Sequence, residues 1–138
     1  MHPGTVLYAE DEPTDIFFLE RAFGIAGILH RLQSVPDGQV AIEYLSGTGA
    51  YIDREPNPTP CLILLDINMP RLSGLEVLEW VRKQSALKKV PVLMLTSSSH
   101  PADMEKARHL EANDYLIKPS NPAQLVELVR AIQQRWLS

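Results

Sequence analysis

Cys61-Leu62-Ile63-Leu64-Leu65-Asp66 is a run of five apolar residues closed by a carboxylate. Apolar residues without polar alternation describe a strand covered on both faces, as in a parallel sheet between helices, rather than one with a face in water. The run is also far below the roughly 20 residues of a membrane span. On either side, four more short runs read as strands: Thr5 to Ala9, about Arg31 to Val35, Pro91 to Leu95 and Asp114 to Ile117. Amphipathic stretches of helical length separate them. Strand and helix in alternation predict a doubly wound α/β domain of five βα units around a five-stranded parallel sheet.

The helices carry start signals. Ser73 with Glu76 three residues on forms a capping box, and Asn121-Pro122 with Gln124 reads as cap, first residue and partner. Leu125, Leu128, Val129, Ile132 and Trp136 recur at spacings of three and four in the last helix, as do Ile16, Leu19 and Phe23 in the first, giving stripes that should face the sheet. Ser46 to Pro60 holds Gly47, Gly49, Pro56, Pro58 and Pro60 and predicts a long surface loop.

The chain has 138 residues, 45% of them apolar, with 13 Lys plus Arg against 17 Asp plus Glu and one cysteine. That is the size of one domain, and residues 1–138 are expected to form one, with no output domain after the fifth helix. A net charge of -4 disfavours nucleic acid as partner, since neutralising phosphates takes a basic patch. The start lacks a basic region followed by a long apolar stretch, so no membrane partner and a cytoplasmic location are expected. Cys61 reads as an inert small hydrophobe. His2, His30, His100 and His109 lack metal-ligand spacing.

In open parallel sheets ligands bind beyond the carboxyl ends of the strands. Here those ends carry Glu10-Asp11-Glu12, Asp66, Thr96 and Lys118-Pro119. Carboxylates gathered together repel unless something positive sits among them, so a cation is implied. Oxygen-only ligands on an open rim suit a partly hydrated Mg²⁺. Asp66 could then act as nucleophile on a phosphoryl group, with Lys118 and the Thr96 hydroxyl meeting the oxygens on which charge is spread. Glu12 lies one place beyond the acid pair and is expected to point to solvent or start the first helix.

Over nearly its whole length the chain resembles the receiver domains of two-component response regulators. The resemblance implies the flavodoxin-like sandwich with strand order 2-1-3-4-5. It implies Glu10 and Asp11 as the metal-binding acid pair and Asp66, in Leu64-Leu65-Asp66-Ile67-Asn68-Met69-Pro70, as the phosphoacceptor. Asn68 offers the metal its backbone carbonyl, Gly74 turns the following loop, Thr96 and Lys118 complete the catalytic set, and Thr96 with Tyr115 forms the switch. A cis Lys118–Pro119 bond is implied too. The expected activity is that of a regulatory phosphoacceptor, not an enzyme, which assists its own phosphotransfer from a sensor histidine kinase and its dephosphorylation. A narrower likeness, carried by the Gly/Pro loop, Lys118-Pro119-Ser120-Asn121 and the end in Trp136-Leu137-Ser138, is to the small regulators of phytochrome-type kinases. A downstream phosphotransfer protein or a second copy, paired through the fourth helix, fifth strand and fifth helix, would take the signal.

Other classes compete. A flavin carrier of this fold wants Thr, Ser and Gly after its first strand, where Glu10, Asp11 and Glu12 would repel phosphate. An aspartate-nucleophile phosphatase wants a second acid where Asn68 stands. The alternative nearest in kind is a pseudo-receiver, a binding module independent of phosphorylation.

Overall fold

The computed structural model describes residues 3–137. Its strands are β1 (Thr5–Ala9), β2 (Arg31–Val35), β3 (Leu62–Leu65), β4 (Val92–Thr96) and β5 (Asp114–Ile117). The helices are α1 (Pro13–Ile25), α2 (Gly38–Ser46), α3 (Gly74–Arg82), α4 (Pro101–His109) and α5 (Pro122–Trp136), with short 3₁₀ turns at Gly49–Tyr51 and Ser85–Leu87. All strand pairs are parallel, in the order β2-β1-β3-β4-β5. This is the expected doubly wound fold.

The sheet separates two apolar layers, and the strand period of two sorts the side chains between them. Leu7, Ala9, Ile63, Leu65 and Met94 face α2 and α3 through Tyr44, Leu45, Val77, Leu78 and Val81. Val6, Tyr8, Leu62, Leu64, Leu93 and Leu95 face α1 and α5 through Leu19, Phe23, Val129 and Ile132. The central strands bury both faces, which is why their sequences show no alternation. Ile16, Leu125, Leu128 and Trp136 pack at the margin of the second layer, so the predicted stripes of α1 and α5 do face the sheet.

Two strands begin one residue later than their apolar runs. Cys61 donates its N–H to Thr5 but leaves its side chain exposed, and Pro91 has no N–H to give. Ser73 and Glu76 make the reciprocal capping box on α3, whereas α5 has only the Asn121 half, its side chain accepting from Ala123 and Gln124 N–H. The 46–60 segment stays largely at the surface but is pinned: Tyr44 donates to the Pro58 carbonyl at 3.0 Å, and Arg54 donates to the Tyr44 carbonyl while its guanidinium lies 5.6 Å from the Tyr44 ring centroid. No peptide bond between described residues is cis, so Lys118–Pro119 is trans, the ordinary state of an X–Pro bond, and not the cis form implied by the resemblance.

Candidate functional site

Each ladder continues one residue past its strand, and this aims the polar side chains at one edge. Glu10 N–H donates to the Val35 carbonyl at 3.0 Å, Asp66 N–H to Ala9 at 3.1 Å and Lys118 N–H to Thr96 at 2.8 Å. Glu10, Asp66 and Thr96 are buried, Lys118 is half-buried and Asp11 is exposed. Glu10, Asp11 and Asp66 each bring one carboxylate oxygen within 4.8 Å of the others.

The Lys118 ammonium joins the acids. It donates to Glu10 Oε1, to Asp15 Oδ2 at 2.9 Å and to Asp66 Oδ2 at 3.2 Å. Glu10 is held further by the Tyr8 hydroxyl, which donates to Oε1 at 2.9 Å, and by Glu12 N–H, which donates to Oε2 at 3.2 Å. Burial pushes the Glu10 carboxyl up to about 7, against the opposing pull of Lys118 and the Tyr8 hydroxyl. Burial alone would lower Lys118, but its bonds to Glu10 and Asp15 and the charge of Asp66 outweigh it and raise the lysine above its ordinary value.

Asp66 Oδ1 is buried without a hydrogen-bond partner. An orphaned carboxylate oxygen beside two further acids is the arrangement a cation completes, and an all-oxygen donor set suits a hard divalent ion. The residues therefore fit a metal of the Mg²⁺ kind.

The remaining expected residues lie around this centre. Thr96 ends β4, its Oγ1 accepting from Ser98 N–H at 3.2 Å. Tyr115 packs against the α3-side core and its hydroxyl donates to the Ser98 carbonyl at 2.8 Å, two residues beyond Thr96. Asn68 stands exposed in the loop after Asp66. Gly74 begins α3 hard against that loop. Glu12 is exposed and occupies the N-cap of α1.

Tyr8 and Asp15 were not candidates from the sequence. A tyrosine inside an apolar run reads as packing, and an acid in a helix's first turn reads as serving the helix dipole. The one usable signal for Asp15 is its place in the first turn of α1, four residues after Asp11.

The parallel sheet gathers acids, a hydroxyl and a lysine at its carboxyl edge, the residue types that the likeness to receiver domains implies there. The chain belongs to the response regulator receiver domain family, whose model it matches over residues 6–130. It is 35% identical to the response regulator Rcp1 of Synechocystis sp. over 135 residues, covering 98% of this chain and 90% of that protein. It is similar to the phosphorylated cyanobacterial phytochrome response regulator RcpA, at 33% identity and a TM-score of 0.90, covering 100% of this chain and 96% of that one. It is also similar to the Mn²⁺-bound form of Rcp1, at 34% identity and a TM-score of 0.87, covering 99% and 96%. No helix among the described residues is long and apolar enough to cross a membrane.

Proposed function

We propose that the protein accepts a phosphoryl group on Asp66 from a sensor histidine kinase and signals through contact with other proteins. The observation that carries this reading is Lys118, whose ammonium reaches both Glu10 and Asp66 while Asp66 Oδ1 stays buried and unpaired. The N–P bond of a phosphohistidine breaks, an O–P bond to Asp66 forms, and the imidazole leaves. Hydrolysis of the acyl phosphate returns the domain to rest. Glu10, Asp11, Asp66 and the Asn68 backbone carbonyl would hold Mg²⁺, which when bound supplies charge neutralisation for the incoming phosphoryl oxygens. Lys118 and the Thr96 hydroxyl meet the same oxygens.

Phosphorylation adds roughly one and a half to two negative charges and three acceptor oxygens, which draw the Thr96 hydroxyl inward. Thr96 Oγ1 then gives up its bond from Ser98 N–H. Tyr115 is tied to the same segment through the Ser98 carbonyl, so the switch passes from Thr96 to Tyr115 along one short piece of chain. The face of α4, β5 and α5 reads out the change, to a downstream phosphotransfer protein or a second copy. The likeness to the phytochrome response regulator RcpA favours a phytochrome-type kinase as donor. Residues 1–138 act as one cytoplasmic unit in this reading.

The test is intact mass after incubation with acetyl phosphate and Mg²⁺. A phosphate-sized gain in the wild type, absent in Asp66→Asn, supports the assignment. A wild type that stays unmodified fits the phosphorylation-independent binding module instead.

A further inference from the structure

A lysine ammonium has three N–H donors and no acceptor. Lys118 spends them on Glu10, Asp15 and Asp66, so none is free for a phosphoryl oxygen. Meeting an incoming group requires one of the three bonds to open. Their surroundings differ: the side chains of Glu10 and Asp66 are 0% and 7% exposed, that of Asp15 is 40% exposed. Releasing Asp66 leaves a buried charge without water or partner, and releasing Glu10 leaves one held only by the Tyr8 hydroxyl and Glu12 N–H and shut off from water, whereas Asp15 rehydrates at once. Asp15 is therefore the partner that yields.

The local architecture permits the exchange. Asp15 is the third residue of α1, after Pro13, and a released carboxylate there still lies in the favourable field of the helix N-terminus. Asp15 and Lys118 both line a cavity of about 180 Å³ between α1 and the segment from Lys118 to Pro122, whose wall includes Tyr8, Phe18 and Leu125. A carboxylate swinging off the lysine has room there without disturbing the core.

We infer that Asp15 is a positioning residue that parks Lys118 in the resting state and slows phosphorylation of Asp66 until a phosphoryl oxygen displaces it. The inference rests on Asp66 being the acceptor.

The experiment follows the initial rate of phosphate gain by intact mass, using the full chain, Mg²⁺ and acetyl phosphate. The donor's O–P bond breaks, acetate leaves and an O–P bond to Asp66 forms. Asp15→Asn and Asp15→Ala should gain phosphate about three to five times faster than wild type, the scale of one half-exposed ion pair. Asp15→Glu, which keeps an anionic acceptor, should restore a rate close to wild type. Glu12→Gln removes the same charge from a neighbouring exposed acid that does not bond Lys118, so it relieves only general repulsion of the donor and should accelerate the gain clearly less than Asp15→Asn. Neutral Asp15 variants that gain phosphate at the wild-type rate or slower overturn the inference, as does Glu12→Gln accelerating equally. No gain in the wild type sinks the Asp66 assignment, and the parking role with it; a gain that Asp15→Asn leaves unaltered sinks the parking role alone.

Discussion

A methyl group added at Gly74 would overlap the carbonyl oxygen of Asp66, and one at Gly38 the carbonyl of Leu72. Neither glycine has a positive φ, so the requirement is space and not backbone freedom. Both contacts press on the loop that leaves Asp66, and Gly74 N–H donates back to the Ile67 carbonyl at 3.1 Å. Gly74→Ala should therefore push Asp66 out of register, lowering stability by about 1–3 kcal/mol as an overpacked site does. The midpoint of urea unfolding measures that loss, and the rate of phosphate gain should fall with it. A variant as stable as wild type would show that the loop gives way freely. Legibility at this scale was uneven. Glu10, Asp11, Asp66 and Lys118 stood out because each charged residue closes or follows an apolar run, and the fold brings them together. The identity of the atom pressed against Gly74 depends on how α3 returns to the sheet, which no local pattern contains.

At the level of elements, the loop between β3 and α3 is clipped to α2. Asp37 caps α2 by accepting from Val40 N–H at 2.9 Å, and its two oxygens also accept from Arg71, Nε to Oδ2 and Nη2 to Oδ1, each at 3.1 Å. Arg71 takes the left-handed backbone region, with φ of 68°, one of two non-glycine residues that do so among those described. That strain of order 1 kcal/mol or more is held in place by the clip. Burial alone would raise the Asp37 carboxyl, but the Val40 N–H and the Arg71 guanidinium outweigh it and hold the group below its ordinary 3.8. A carboxyl lowered in the folded state stabilises above 3.8, and that stability is lost as pH falls through the depressed value. Asp37→Asn keeps one oxygen for the cap but loses the charge and one of the two acceptors of Arg71, and since Arg71 is more than half exposed the expected cost at neutral pH is about 1 kcal/mol or less. Unfolding curves of wild type and variant should converge in acid; a gap that persists well below 3.8 would assign the effect to the cap or to packing. The strands β1, β2 and β5 could be bounded from the sequence because turn residues and charges flank them. The clip could not, since it joins positions 34 residues apart through a loop whose backbone conformation only the fold imposes.

For the molecule as a whole, one question is how a domain with a net charge of -4 tolerates acids converging at one edge. Lys118 offsets part of the repulsion, but Asp11 is exposed and Asp66 Oδ1 unpaired, so the metal-free protein carries unrelieved negative charge there. Two effects follow with opposite sign. Asp11→Asn removes repulsion, so without metal the variant should melt at or above the wild-type temperature. A cation that binds the folded chain alone stabilises it by mass action, about 2.7 kcal/mol at a hundredfold excess over its dissociation constant. Wild type should therefore gain melting temperature steadily as Mg²⁺ is added, and Asp11→Asn should lose most of that gain. Calorimetry in chelator and across a Mg²⁺ series reads both quantities on the same two proteins. Equal Mg²⁺ shifts would remove Asp11 from the ligand set. A metal-free variant less stable than wild type would mean that Asp11 makes a favourable contact at the rim and that the acids are not under mutual strain. The two expected results together require that the edge be built at a cost to the empty protein which the cation reverses, tying the sheet's topology to the ion it gathers.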